Sequence, residues 1–241
     1  MRIARWNVAY GRGKTANRRR LSRMQEINAD IWILTETHDD LSPGDEFRAV
    51  RSQQRPHGHG DGRVNERSRW VTIWSRKILR TELLDVKDPE RSVACVIETD
   101  QGAMWIFGTV LPWYGDARGV SVKEEVELQC LDWNDLNHKV GNLGCVAGDF
   151  NVNLDGPHYY GSRESKAAVK NALEASGLVA LTDYSRTEEA RPDFGLIDHI
   201  AVSSEIADES IRPLIWEKRN DHNELLSDHL GVSVDLVMTC S

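Results

Sequence analysis

The alternation of apolar and polar residues predicts strands along most of the chain. Ile3 and Arg5 alternate toward Asn7 in a first strand, and residues 30–35 form the nearly continuous apolar run of a strand covered on both faces. Further strands are predicted at 47–52, 70–75, 81–86, 92–99, 103–110, 145–147, 196–202, 211–216 and 232–237. A short turn at 100–102 joins two of them as a hairpin, so this sheet is expected to be antiparallel.

Helices are predicted where apolar residues recur at helical spacing. Residues 17–28 form a basic amphipathic pattern, in which arginines surround the apolar positions. A capping box at Ser121 predicts a long helix toward Val140, and residues 162–176 predict another, closed by a glycine. Because no repeat, low-complexity tract or linker divides these elements, residues 1–241 are expected to form a single α/β domain.

Composition narrows the class of protein only slightly. The formal net charge of −8 argues against a general nucleic-acid coat, although acidic metal ligands would add negative charge without describing a substrate-facing surface. No run approaches the roughly 18 apolar residues of a membrane span, and the N-terminus resembles a strand and not a signal peptide. Four cysteines without CxxC spacing indicate reduced thiols and favour a cytoplasmic location: Cys95, Cys130, Cys145 and Cys240.

Residues 146–153 contain the first candidate functional side chains. An apolar run ends at a glycine and is followed by Asp149, Phe150 and Asn151. In an extended segment residues i and i+2 point the same way, so Asp149 and Asn151 can face one pocket while Phe150 packs into the core. Taken alone, this stretch is equally well read as a surface turn, since glycine, aspartate and asparagine are common in turns.

Other polar residues also lie at strand ends or inside apolar strand contexts. They are Asn7, Glu36, Asp198, Asp228 and His229. Burying such groups unpaired would be costly, so we expect them to converge with Asp149 and Asn151. A buried carboxylate cluster repels itself unless a divalent cation or shared protons neutralise it, and oxygen ligands without cysteine favour Mg²⁺ or Mn²⁺ over zinc.

Basic residues near the N-terminus are candidates for binding phosphate. They are Arg12, Lys14, Arg18, Arg19 and Arg20. A solvated charged face explains the arginine run as well as a phosphate-binding role does. A second basic group, Arg63, Arg67 and Arg69, offers an alternative contact surface for backbone phosphates.

Five short motifs in order resemble the endonuclease/exonuclease/phosphatase superfamily. They are Trp6-Asn7-Val8, Leu34-Thr35-Glu36-Thr37, Gly148-Asp149-Phe150-Asn151, Ile197-Asp198-His199-Ile200 and Ser227-Asp228-His229. Each motif is weak alone, but their order and spacing over nearly the whole chain make the signal specific. The resemblance implies a four-layer α/β/β/α sandwich with two packed, mostly antiparallel sheets.

The resemblance also implies metal and water-activating residues. Glu36 would bind Mg²⁺, helped by Asp228 and by Asn7, which also counts among the catalytic residues. Asp149 would position or deprotonate the attacking water. Asn151 would hold a phosphate oxygen.

By the same resemblance, His229 would contact the phosphate as it becomes pentacovalent, and Asp198 would accept a hydrogen bond from its other ring nitrogen. The pairing is also physically sound. A carboxylate beside an imidazole favours the imidazolium form, which stabilises developing negative charge.

Val110 departs from the family pattern, which in many relatives has a His or Tyr at this position. Valine can donate neither a hydrogen bond nor a proton. Another residue would then supply the donor, or solvent at the metal would protonate the leaving group, or catalysis would be impaired. Tyr114, four residues further on, is the candidate replacement, and packing or stacking on substrate is the alternative role for its ring.

The motifs favour a Mg²⁺-dependent phosphodiesterase acting on DNA or RNA. The first alternative keeps the chemistry but changes the substrate to a phosphorylated small molecule or a lipid headgroup, because the superfamily shares one core across these substrates. The second is a non-catalytic binding protein on an enzyme scaffold. Only Val110 supports that reading.

Overall fold

The computed structural model describes residues 1–11, 13–54, 66–76, 79–113, 121–157, 159–191 and 193–238, with the backbone alone at 79–83. Its twelve strands are β1 (Arg2–Asn7), β2 (Ile31–His38), β3 (Arg48–Arg51), β4 (Ser68–Ser75), β5 (Leu79–Leu84), β6 (Ser92–Thr99), β7 (Gly102–Val110), β8 (Gly144–Asp149), β9 (Leu178–Ala180), β10 (Asp198–Ser203), β11 (Leu214–Trp216) and β12 (Gly231–Asp235). Its helices are α1 (Lys14–Ile27), α2 (Val122–Val140), α3 (Arg163–Ala175) and α4 (Tyr184–Thr187), with a short 3-10 turn at Ala9–Gly11.

The strands form two six-stranded sheets. The first has the order β11-β12-β1-β2-β4-β3, and the second has the order β5-β6-β7-β8-β10-β9. In each sheet one neighbouring pair is parallel, β1 with β2 and β7 with β8, and the other pairs are antiparallel. The expected pair of mostly antiparallel sheets is confirmed.

Three buried clusters account for the layers. Apolar residues from both sheets fill the space between them, a second cluster lies between the second sheet and α2 with α3, and a third lies between the first sheet and α1. Strand β1 shows how alternation builds this arrangement, because Ile3 packs between the sheets while Ala4 and Trp6 pack toward α1. The four-layer sandwich predicted from the resemblance is confirmed.

Most predicted elements are present, with shifted ends. The capping box at Ser121 is formed, since its hydroxyl accepts from the Glu124 N–H while Glu124 accepts from the Ser121 N–H. Helix α1 begins at Lys14, three residues earlier than expected. Strand β10 begins at Asp198, so this carboxylate lies at a strand end and not inside the strand. The short β9 and α4 carry too few residues to show a period.

Cys95, Cys130 and Cys145 are buried and have free thiols, as expected from their apolar surroundings. Burial raises the pKa of the Cys95 thiol to about 12. In the described parts of the chain, no helix has both the length and the apolar character needed to cross a bilayer. The cytoplasmic location stays a prediction, as does the single-domain organisation.

His199 ties β10 to the chain that follows β8. Its Nε2 is 3.1 Å from the Val152 carbonyl oxygen and its Nδ1 is 3.1 Å from Thr182 Oγ1. Burial lowers the pKa of His199 to about 4, and the charge of Arg5 acts in the same direction. The imidazole is therefore neutral in the folded protein at neutral pH.

We expect His199 to make the free energy of unfolding decrease as the pH is lowered from about 6.5 to about 4. In this window the imidazole takes up a proton in the unfolded chain but not in the folded chain. The contribution of His199 to stability is therefore complete above its pKa in the unfolded chain and is lost as the pH falls. Urea unfolding in EDTA would measure the free energy of unfolding at about pH 7.5 and about pH 5. The decrease between the two should be about 2 kcal/mol smaller for His199→Gln than for wild type. Parallel losses in the two proteins would show that His199 is not the group responsible.

Candidate active site

The candidate catalytic residues lie where strands of both sheets end. Asn7 is the last residue of β1, Asp149 is the last residue of β8, and Asp198 is the first residue of β10. Asp198 lies opposite Asp149 in the antiparallel register of β8 and β10, which places the two carboxylates side by side. His229 lies two residues before β12, which pairs with β1. Tertiary pairing thus brings together residues that are distant in sequence.

His229 lies between the two carboxylates. Its Nδ1 is 3.0 Å from Asp198 Oδ2 and 3.2 Å from Asp198 Oδ1, and its Nε2 is 3.9 Å from Asp149 Oδ2. Ligand atoms of the three residues lie within 4.8 Å of one another. With Nδ1–H donating to Asp198, Nε2 is directed to the Asp149 side. This is the pairing that the resemblance implied.

Asn7 connects the carboxylates of the two sheets. Its Nδ2 donates to Asp149 Oδ2 over 3.4 Å, and its side chain also hydrogen-bonds to Glu36. Its Oδ1 accepts from the Ala9 N–H at 3.0 Å. Since a carboxamide oxygen has two lone pairs, Oδ1 retains one for a further partner. Fully buried Asn7 is therefore held in a fixed orientation at the centre of the site.

Glu36 lies in an environment that disfavours its charge. Burial raises the pKa of its carboxyl, the neighbouring charge of Asp149 raises it further, the hydrogen bond from Asn7 lowers it, Asp228 raises it and His229 lowers it. The balance is upward, mainly because of burial and the nearby charge of Asp149. A bound cation would reverse this balance.

Two of the site residues have a left-handed backbone. The φ of Glu36 is 45° and the φ of Asn151 is 53°. For residues other than glycine this conformation costs about 1 kcal/mol or more, and such strain is concentrated at functional positions. The fold therefore maintains a less favourable backbone conformation at Glu36, whereas asparagine adopts this region more readily than most residues.

Asn151 is held against the adjacent strand end. Its backbone N–H donates to Asp149 Oδ1 at 3.1 Å, and its Nδ2 donates to the Leu111 carbonyl oxygen at 2.8 Å. One amide hydrogen therefore remains for a substrate oxygen. Gly148 allows this close packing, because a Cβ there would lie 1.8 Å from the Thr109 carbonyl oxygen.

Asp228 is exposed at the mouth of the site, next to His229. Ser227, the residue before Asp228, is buried. Its hydroxyl donates to the Asn7 carbonyl oxygen at 2.5 Å and accepts from the His229 N–H at 3.1 Å. Ser227 thus fixes the two neighbouring residues against the end of β1. The side chains of Asp228 and His229 border a small cavity of about 100 Å³, which also contacts Phe194.

The donor set fits a hard divalent cation. Carboxylates and a carboxamide are the oxygen ligands that Mg²⁺ and Mn²⁺ prefer, and a cation would offset the burial and the Asp149 charge that raise the pKa of Glu36. Glu36, Asn7 and Asp228 would hold the ion, whereas Asp198 already pairs with His229 and with Arg5. This assignment of the metal ligands stays a proposal.

The structure corrects the expected role of Arg20. Its side chain is buried, and its Nε donates to the Leu226 carbonyl oxygen at 2.8 Å. Arg20 shares the buried face of α1 with Met24 and Ile27, four and seven residues further on. It is therefore not available to contact a substrate. Arg19, only partly exposed, forms an ion pair with Glu224.

Lys14 and Arg18 remain as exposed cations on α1. Neither has an ion-pair partner among the described residues, and both border a cavity of about 760 Å³. This cavity lies beside the chain that follows Asn7 and Glu36, because Gly11 and His38 also line it. In the second basic group, Arg67 pairs with Asp40 and Arg69 with Asp39.

Val110 is buried in the cluster between the sheets, beside Asp149 in the parallel register of β7 and β8. Its side chain supplies no donor to the site. Tyr114, the candidate replacement, lies outside the described residues, as do Arg12 and Arg63. Their predicted roles stay predictions.

Arg5 was not assigned from the sequence. It is fully buried, forms an ion pair with Asp198 through Nη1, and donates from Nη2 to Thr35 Oγ1 at 3.0 Å. Burial lowers its pKa to about 10, while the charges of Asp149 and Glu36 act in the opposite direction. The signal was available, because Arg5 shares the β1 face of Asn7, two residues on.

No family model and no curated protein matches the chain. Solved structures do. The chain is 18% identical to a 3'-5' exonuclease (NExo) from Neisseria meningitidis, with a TM-score of 0.66 and coverage of 98% of this chain and 99% of that one. For an AP endonuclease from Archaeoglobus fulgidus the identity is 17%, the TM-score 0.65 and the coverage 98% and 99%.

An endonuclease/exonuclease/phosphatase protein from Beutenbergia cavernae is similar over 98% of this chain and 71% of its own, at 16% identity and a TM-score of 0.65. At such identities the likeness establishes the fold alone. The chain therefore has the endonuclease/exonuclease/phosphatase fold that its five motifs led us to expect.

Proposed function

We propose that the protein is a divalent-metal-dependent phosphodiesterase that hydrolyses nucleic acid. The observation that carries this proposal is the convergence of Asn7, Glu36, Asp149 and the Asp198–His229 pair at one edge of the two sheets. Carboxylates, an amide and an imidazole at these separations supply a base, an orienting group and a donor for phosphate chemistry. Similarity of fold to an exonuclease and an AP endonuclease supports the same class of reaction.

Each side chain has a step that its position allows. Asp149 orients the attacking water and takes its proton, while the free amide hydrogen of Asn151 binds a phosphate oxygen. His229 donates from Nε2 to the phosphate as negative charge develops, and Asp198 holds Nδ1–H. A divalent cation held by Glu36, Asn7 and Asp228 would supply Lewis-acid neutralisation of the phosphate charge.

The large cavity beside α1 favours a polymeric substrate. This cavity of about 760 Å³ lies beside the segments that follow Asn7 and Glu36, and Lys14 and Arg18 on its border would form a basic extension that contacts phosphates beyond the one being cleaved. A phosphorylated small molecule or lipid headgroup would use the acidic cluster without needing this basic extension. Nucleic acid is therefore the substrate class we propose.

A substrate panel tests the proposal directly. Plasmid nicking, single-strand digestion and phosphate release from phosphomonoesters would each be assayed with Mg²⁺, with Mn²⁺ and with EDTA. We expect metal-dependent cleavage of DNA or RNA. Hydrolysis restricted to small phosphoesters or lipid headgroups would change the substrate assignment, and binding without any hydrolysis would indicate a non-catalytic protein.

We expect Asp198→Asn and His229→Ala to reduce turnover by similar factors, about 10²- to 10⁴-fold. The double variant should lose little more than either single variant, because two groups that act as a unit are strongly non-additive. The measurement is kcat for all four proteins on one cleaved substrate. Additive losses would mean that the 3.0 Å contact has no role in turnover.

We expect Lys14→Gln and Arg18→Gln to weaken nucleic-acid binding, since each removes a cation bordering the large cavity. If each contacts one phosphate, the slope of log Kd against log salt should fall by about one unit per substitution. Arg19→Gln is the matched control on the same helix, because its guanidinium pairs with Glu224. Wild-type salt slopes in all three variants would show that Lys14 and Arg18 belong to a solvated helix face and do not contact phosphates.

A further inference from the structure

We propose that Arg5 is a positioning residue that holds Asp198 from within the sandwich and so keeps His229 directed at the phosphate. This inference rests on the proposed phosphodiester hydrolysis. Arg5 does not border the cavity at His229, so it would act through Asp198 and not on the substrate.

The guanidinium of Arg5 joins the two sheets beneath the site. Arg5 lies on β1 of the first sheet, and its partner Asp198 begins β10 of the second. Its other contact, Thr35, directly precedes Glu36 on β2. A rigid planar group with two directed donors thus links the strand of the proposed metal ligand to the Asp198–His229 pair.

Asp198 needs such a partner. It is buried and lies opposite another buried carboxylate, Asp149, in the register of β8 and β10. The His229 imidazole offers it only one N–H. Without a second positive partner, repulsion from Asp149 would favour a different carboxylate orientation or its protonation. The ion pair with Arg5 supplies this second partner and leaves an oxygen of Asp198 in place for His229 Nδ1.

A purely structural ion pair between the sheets is the competing explanation. Breaking a buried pair lowers stability whether or not it serves catalysis. Loss of stability alone therefore cannot distinguish the two roles. The measurements must report on turnover and on the His229 hydrogen bond separately.

Arg5→Met keeps the length of the side chain and removes its charge and donors, and Arg5→Lys keeps the charge but loses the fork geometry. In folded protein we expect kcat to fall about 10- to 100-fold for Arg5→Met and by a smaller factor for Arg5→Lys. Substrate KM should change by less than about threefold. Mg²⁺ affinity by calorimetry should not fall, because Arg5 is not a ligand and its positive charge lies near Glu36.

NMR provides a readout that does not depend on activity. The His229 Nδ1–H resonance, identified by its absence from His229→Gln, should shift or broaden in Arg5→Met because Asp198 is no longer held. Arg91→Met is the matched control. Arg91 is also fully buried, lies over the rings of Trp70 and Trp113, and pairs with Glu125 instead of Asp198. It should lower the melting temperature and leave kcat and this resonance unchanged.

An unchanged kcat together with an unchanged His229 resonance in folded Arg5→Met would overturn the positioning role. If Arg5→Met does not fold, Arg5→Lys decides in the same way. If wild type hydrolyses no phosphoester, the proposed function has failed. The resonance then still reports whether Arg5 holds the Asp198–His229 pair.

Discussion

Asp149→Asn is expected to lower kcat by about 10³-fold while substrate binding is kept or tightened. An amide cannot take a proton from water. The substituted side chain can still accept from the Asn151 N–H, as Asp149 Oδ1 does at 3.1 Å. The NH₂ group of the variant would take the place of Asp149 Oδ2. In the wild-type protein this oxygen accepts from Asn7 and lies 3.9 Å from His229 Nε2. Removing one negative charge beside the phosphate should favour binding of the substrate.

The measurement for Asp149→Asn is single-turnover cleavage beside Kd for the same substrate. Asp183→Asn is a suitable control, because Asp183 is also partly buried with a raised pKa, but precedes α4 away from the proposed catalytic contacts. It should leave both quantities near wild type. A loss of binding that parallels the loss of turnover would make Asp149 a residue that holds the substrate or the fold.

Glu36→Gln is expected to abolish most Mg²⁺-dependent activity, with Mg²⁺ affinity at least about 100-fold weaker. The substitution keeps the shape of the side chain and the partner for Asn7, but removes the carboxylate charge. Burial, Asp149 and Asp228 all raise the pKa of Glu36, so its charge is unfavourable without a cation. Removing that charge should therefore stabilise the metal-free protein slightly.

The three measurements for Glu36→Gln are Mg²⁺ affinity by calorimetry, activity against Mg²⁺ concentration, and urea unfolding in EDTA. The control is Asp132→Asn, since burial also raises the pKa of Asp132, which pairs with Lys87 away from the site. It should retain metal affinity. Wild-type metal affinity in Glu36→Gln would remove Glu36 from the ligand set and leave Asp149, Asp198 and His229 as the group to test.

The sequence by itself determined most of the helices and strands and led to the fold. Alternation along residues 2–8 identified β1, the capping box identified α2, and the apolar run that ends on Asp149 identified β8. Glu36 was expected at the end of its strand, but β2 continues two residues further, to His38. These signals are local, because they depend on the period of one segment and on backbone hydrogen bonds close in sequence. Five ordered motifs then led to the four-layer fold, which the structure has.

Tertiary structure decided which side chains face the site. The run Arg18, Arg19 and Arg20 looks uniform in sequence, but α1 exposes Arg18, pairs Arg19 with Glu224 and buries Arg20 beside Met24. A helical period gives relative directions around the axis. Only the position of α1 on the first sheet determines which of these directions is covered.

The site itself depends on the register between strands that are distant in sequence. Asp149 lies opposite Asp198, His229 lies between them, and Arg5 reaches Asp198 from the other sheet. The sequence placed each polar residue at or near a strand end, but a shift of one residue in β10 would turn Asp198 to the opposite face. Which residues meet was therefore decided by the packing of the two sheets, because pairwise distances between strands depend on register and not on local period.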